Sequence, residues 1–192
     1  MRRKFRRLTD ARGMDAFSEL GFPRHPVVDP DEVQRRFDEL GRSAHPDAGG
    51  DAEVFARLAS ARDCLVSPAR RWRHLLELEW PGSRVEGALS PELMDLFSAI
   101  AATVSAVSQF VAERRLATTA LIRALLSARQ IALIDRTEEW RAAIWKRREW
   151  LERESVGWDG QKESLANLAR EAAFLEKWDR QLREALLQLA EA

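Results

Sequence analysis

Apolar residues recur along the chain at spacings of three and four and do not alternate with period two, so the pattern predicts helices and no sheet. A short helix is predicted over Asp15–Leu20, with Phe17 and Leu20 inward and Gly21 and Pro23 ending it. A linker with Pro23 and Pro26 follows. Asp29-Pro30-Asp31-Glu32 then reads as a helix start, with Asp29 as N-cap, Pro30 at the first helical position and Glu32 closing a capping box. From there to about Ala44, the residues Val33, Phe37, Leu40 and Ala44 share one face. Arg35 and Arg42 lie two turns apart on another face, with Arg36 nearby, and Gly41 costs the helix roughly 1 kcal/mol relative to Ala. A third helix is predicted over about Asp51–Val66, with Phe55, Leu58, Ala61 and Leu65 inward. The short loop before it makes the second and third helices antiparallel partners. Ser67-Pro68 opens a fourth helix, Ala69–Leu78, packing through Trp72, Leu75 and Leu76, and Trp80-Pro81-Gly82-Ser83 stops it.

Neither glycine nor proline occurs between Pro91 and Val156. One helix of that length would span on the order of 100 Å, so a break is expected, best placed at Arg114–Thr119 where polar and β-branched residues cluster. Ser90-Pro91 opens the first segment, whose stripe is Leu93, Phe97, Ile100, Val104, Val107 and Val111. The second carries Leu121, Leu125, Leu133, Trp140, Ile144 and Leu151, and Gly157 and Gly160 mark the next turn. The last helix, Lys162–Ala190, shows Leu165, Leu168, Ala172, Leu175, Leu182, Leu186 and Leu189 at heptad-like spacing, with Asp179 interrupting the seam. Asp179 either faces solvent at a bend or pairs with an arginine of the preceding helix. Three amphipathic helices joined by short turns predict an antiparallel three-helix bundle. The expected organisation is a basic flexible tail over 1–13, a small helical domain over 14–78, a linker over 79–89 and a helical bundle over 90–192.

Composition narrows this picture without redirecting it. Lys+Arg 31 against Asp+Glu 31 leaves no net charge, so no global field draws nucleic acid. The lone Cys64 excludes an internal disulfide and any zinc–cysteine cluster. No apolar run approaches the roughly 18 residues of a membrane span, and no signal-peptide core follows the first arginines, so a soluble cytoplasmic protein is the default. The first twelve residues are strongly basic, which reads as a solvated tail or, more sharply, as an arm for nucleic acid or an acidic partner. Five of the seven tryptophans lie between Trp140 and Trp178. They are expected to pack the bundle, with Trp145 or Trp150, beside Arg147 and Arg148, as the alternative partner surface.

The chemically distinctive stretch is His45-Pro46-Asp47-Ala48-Gly49-Gly50-Asp51. Pro46 has no N–H and pushes His45 out of the α region, so the second helix must end there. Asp47 can cap the turn with its own side chain, Gly49-Gly50 loosens the loop, and Asp51 sits where the next N-cap belongs. The outcome is a helical hairpin with an imidazole and a carboxylate at its tip. As an enzyme site this is thin. His45 and Asp47 could be a base and its orienter or metal ligands, yet the only other histidines are His25 and His74 and none forms a ligand-spaced pair. No phosphate loop or nucleophile motif appears, so neither catalysis, a cofactor nor a metal is expected.

His45-Pro46-Asp47 between two helices resembles the signature loop of a J-domain, the module that switches on DnaK-type chaperone ATPases. Further landmarks resemble the HscB-type subfamily, the co-chaperones of iron–sulfur cluster assembly. They are Phe17-Ser18-Glu19-Leu20-Gly21-Phe22-Pro23, Phe37-Asp38-Glu39-Leu40, Pro68-Ala69-Arg70-Arg71-Trp72 running on to Leu78, and Phe174-Leu175-Glu176-Lys177-Trp178. The resemblance implies an all-α protein, a J-domain followed by a C-terminal bundle, that stimulates a DnaK/HscA-type chaperone. His45, Pro46 and Asp47 would touch that chaperone, with Arg35, Arg36 and Arg42 supplying the positive face that Asp38 and Glu39 partly offset. It also implies that the bundle holds the iron–sulfur scaffold protein through Leu93, Met94, Asp95 and Phe97, with Phe174 from the last helix. After Phe97 the family pattern continues with charged residues, where this chain has Ser98-Ala99-Ile100-Ala101. A J-domain protein with an unrelated client, or a vestigial J-fold acting as an adaptor, is the alternative.

Overall fold

A computed structural model describes residues 14–83 and 87–192. The basic segment 1–13 and residues 84–86 of the expected linker lie outside them. The described residues carry seven α-helices and no strand, and they fall into two compact units that divide after Ser83.

In the first unit α1 (Ala16–Leu20) is capped by Asp15, whose carboxylate accepts from the Phe17 and Ser18 amides. Gly21, at φ +74°, ends it in the left-handed conformation that glycine tolerates best. α2 (Pro30–Ala44) starts on Asp29, whose side chain accepts from the Asp31 amide. Glu32 does not close a capping box. Its carboxylate turns to Arg35 and Arg36 instead, because ion pairing on the exposed face competes with reaching back to the cap. α3 (Ala52–Val66), capped by Asp51, returns antiparallel beside α2, with Phe55 and Phe37 rings 5.7 Å apart and Arg62 lying over Phe37. α4 (Pro68–Glu79) starts on Ser67.

The core of this unit is Phe17, Leu20, Val33, Phe37, Leu58, Leu65, Trp72, Leu75 and Leu76. Leu40, expected inward, is exposed, and Gly41 occupies the inward position. A Cβ added at Gly41 would sit 3.5 Å from the Phe55 ring, in ordinary contact. The loop before α2 is tied down from α4. Arg71 is buried and donates through Nε to the Pro26 carbonyl at 2.8 Å and through Nη1 to the Leu65 carbonyl at 2.6 Å, while the Trp72 indole donates to Pro26 at 2.9 Å. α1 is tied down as well: His74 Nε2 accepts the Ala16 amide at 3.0 Å, and its ring stacks on Phe17.

In the second unit α5 (Pro91–Leu116), α6 (Ala120–Val156) and α7 (Lys162–Ala190) form a three-helix bundle. The break between α5 and α6 falls within the expected segment, with Thr119 capping α6. The core runs through Leu93, Ile100, Val107, Phe110, Ile144, Leu151, Leu165, Leu175, Trp178, Leu182 and Leu189. Leu121 and Leu125, expected inward, are exposed, and Leu126 is buried in their place. The core position next to Asp179 is filled by Trp178, and Asp179 itself pairs with Arg141 of α6 at 3.3 Å and with Arg183. Further polar contacts cross the bundle, among them Trp140 donating to Thr103 Oγ1 at 3.0 Å and Arg147 to Glu171 at 2.7 Å.

The expectation that nothing in the chain matches a membrane span fails for α5. Its length and a mean hydropathy of 1.4 over an 18-residue window are enough to cross a bilayer by composition. Alanine and valine raise that average without making a run of large apolar residues.

Two measurements test this packing. Burial lowers the pKa of His74, with Arg24 acting the same way against an opposing Asp15. The neutral ring is the form that accepts from Ala16, so its contribution is complete above about pH 6.5, the unfolded value, and is lost as pH falls below that toward the depressed folded value. The urea midpoint is expected to fall on acidification from about pH 7 to about pH 5. His74→Gln, which keeps an acceptor, should show a flatter profile, and identical profiles would reject the assignment. Gly41→Ala adds a methyl group at ordinary contact distance and removes a poor helix former, so it should stabilise the protein by about 0.5–1 kcal/mol in urea melts.

Candidate functional site

α2 stops at Ala44 because the next turn would need an N–H that Pro46 lacks. His45 takes φ −65° and ψ 131°, the extended conformation favoured before proline. Pro46–Ala48 form one 3₁₀ turn, and Asp51 starts α3. The corner is closed by its own backbone: Gly49 donates to the Pro46 carbonyl and Gly50 to the His45 carbonyl, both at 3.0 Å.

The two glycines therefore tighten the loop, contrary to the expectation that they loosen it. Gly49 sits at φ +81°. Gly50 lies so close to Ala44 that a Cβ would fall 2.3 Å from its carbonyl carbon, closer than any side chain can come.

The cap is supplied by a different residue from the one expected. His45 Nδ1 accepts the Asp47 amide at 3.2 Å, and the imidazole packs edge-on against Phe55 with ring centroids 4.9 Å apart. Nδ1 also lies 3.8 Å from an Asp47 carboxylate oxygen. The Asp47 side chain is 94% exposed and that of His45 45% exposed, so the corner presents a free carboxylate beside a half-buried, orientated ring. The apolar seat of the imidazole is Phe55, which periodicity had assigned to the core alone.

The cations of α2 are unequally available. Arg35 pairs with Glu32, and Arg36 is shared between Glu32 and Glu39. Arg42 is exposed, one turn from the corner, with no carboxylate partner among the described residues. Asp38 accepts from Gln34.

The residues expected to hold a client gather at the start of α5 and the middle of α7, with one exception. Leu93 is buried in the bundle and offers no surface. Met94, Asp95 and Phe97 are exposed. Phe97 stacks on Trp178 at 5.7 Å, and Phe174 packs tilted against the same indole at the same distance. Trp178 is thus the floor of an apolar patch, a role that sequence spacing did not reveal. Of the other tryptophans, Trp145 is exposed, and Trp150 is covered on one face by the Arg147 guanidinium 4.0 Å from its ring centre. Among the described residues no group of three or more His, Cys, Asp or Glu could hold a metal ion. Burial pushes the Cys64 thiol pKa up to about 11, which leaves it a poor nucleophile.

No family model matches the sequence. No curated protein matches it either. Solved structures do. The chain is similar to chaperone HscB from Vibrio cholerae, with a TM-score of 0.55 and 19% identity over 92% of this chain and 99% of that one. Human co-chaperone HscB aligns at a TM-score of 0.39 and 15% identity over 88% of this chain and 84% of that one. The likeness to the bacterial structure runs over both units, and the described residues have the all-helical fold of HscB, a J-domain followed by a C-terminal helical bundle.

Proposed function

We propose that the chain is a non-catalytic J-domain co-chaperone. In this reading residues 14–78 stimulate the ATPase of a DnaK/HscA-type chaperone, and residues 90–192 present a client, the iron–sulfur cluster scaffold. The observation that carries it is the corner itself: an oriented imidazole and a bare carboxylate held at the join of two antiparallel helices. Such a tip breaks no bond. It acts by binding one nucleotide state of the chaperone better than another, which shifts that equilibrium and so the hydrolysis rate. Arg42 steers the approach to an acidic chaperone surface, with Arg35 and Arg36 contributing less because Glu32 and Glu39 hold them.

On the bundle, Met94, Phe97 and Phe174 over Trp178 form the apolar contact. One observation favours a second reading, a client other than the scaffold. Between Asp95 and Glu113 the sequence of α5 holds no charged residue, and Ser98, Ala101 and Ser105 are exposed. A client that docks there meets small neutral side chains and needs no basic surface of its own.

In single-turnover ATPase assays with the host chaperone, the wild-type chain should accelerate hydrolysis and His45→Gln should abolish the effect. Equal acceleration by both removes the chaperone-stimulating role. In calorimetric titration of the full chain against the host's scaffold protein, Met94→Ser and Phe174→Ser should each weaken binding about tenfold. Added salt should have little influence, since the contact is apolar. No binding, with ATPase stimulation intact, would select the second reading.

A further inference from the structure

The far end of the bundle, where α5 turns into α6, serves neither of these sites. Leu116 ends α5, and Leu121 and Leu125 stand on the first turns of α6; they are 81%, 71% and 69% exposed. Ile122 and, further along α6, Ile131 are exposed as well. This is not a missing core, because Leu126 already packs with Val107, Phe110, Ala185 and Leu189. The first half of α6 has a second apolar face. Leu121, Leu125, Ala128 and Ala132 follow at spacings of four, three and four, and all are exposed. Clustered bare leucines of this kind mark an interaction surface.

The charges at this end are predominantly basic. From Arg114 to Ile134 the sequence holds Arg114, Arg115, Arg123 and Arg129 and no Asp or Glu. Glu113, just before this stretch, pairs with Arg129, and Glu191 follows the end of α7. Arg114 is held by the Ala192 and Arg123 main-chain oxygens, and Arg123 by the Thr118 carbonyl. Arg115 and Arg123 meet no carboxylate among the described residues.

A second copy docked tip to tip would set these arginines against their own kind. A three-residue turn carrying bare leucines presents no groove for a peptide. An anionic bilayer offers hydrocarbon for the leucines, phosphates for the guanidiniums and a surface that yields around a protruding corner. We propose that the α5–α6 corner docks on an anionic lipid surface. Leu116, Leu121 and Leu125 enter the headgroup–acyl boundary, and Arg115 and Arg123 lie at the phosphates. The contact is peripheral, because the inner face of α5 stays committed to the bundle core.

The test uses the full chain with vesicles of phosphatidylcholine alone or mixed with phosphatidylglycerol. Because the basic segment 1–13 can also attract such vesicles, the readout is placed at the corner. An environment-sensitive fluorophore on Thr118→Cys, in a Cys64→Ser background, should blue-shift on the anionic vesicles and not on the neutral ones. Leu121→Ser with Leu125→Ser, both exposed and so harmless to the fold, should reduce vesicle affinity about tenfold or more. No blue shift on anionic vesicles would overturn the proposal, as would equal affinity of wild type and double variant. A dimer in sedimentation equilibrium that the double variant dissolves would overturn it in favour of a second copy.

Discussion

One missing hydrogen-bond donor, the ring nitrogen of Pro46, determines the geometry of the exposed corner. α2 cannot pass it, and His45 is forced extended. Three further donors of the corner are then satisfied internally: Asp47 by the imidazole, Gly49 by Pro46 and Gly50 by His45. These bonds shape the corner locally, and the Asp47 carboxylate remains exposed. The imidazole serves the corner as a cap, and in the proposed function its edge would meet the chaperone. Phe55 fixes the ring plane for both.

The rest of the first unit keeps those two helices in place. α4 contributes the anchors, because Arg71 and Trp72 both donate to the Pro26 carbonyl in the loop that enters α2. A buried guanidinium is tolerated only where oxygens meet it, and here carbonyls from two separate segments do. His74 then secures α1 from the same helix. One amphipathic turn after Ser67 thus ties down two segments that are distant in sequence, the Pro26 loop and α1.

The bundle solves a different problem, that of fixing how far each helix slides past the next. Leucine stripes alone tolerate slippage. Arg141 with Asp179, Arg147 with Glu171 and Trp140 with Thr103 cross between helices at separate levels and single out one register. Asp179 interrupts the apolar seam for that reason, and Trp178 fills the space it leaves. The same indole carries Phe97 and Phe174 outward, so one residue serves the core and the candidate client patch.

Local chemistry written in the sequence was enough to set the helices, their caps at Asp15, Asp29, Asp51, Ser67, Ser90 and Thr119, the break near Arg114–Thr119 and the proline corner. Each depends on side chains within a few residues of the backbone they control. The apolar stripes were legible in the main, with exceptions: Gly41 replaced Leu40, Leu126 was buried where Leu121 and Leu125 were expected, and Phe97 was exposed. Periodicity gives a face but cannot say how close the neighbouring helix will come, and a close neighbour admits a glycine and expels a leucine. Only tertiary structure decided that Gly50 is required by its distance from Ala44, that Phe55 seats the imidazole, that Leu93 is lost to the interior and that Trp178 supports the exposed Phe97 and the half-buried Phe174. Those facts are distances between segments far apart in the chain, and spacing along the chain does not contain them.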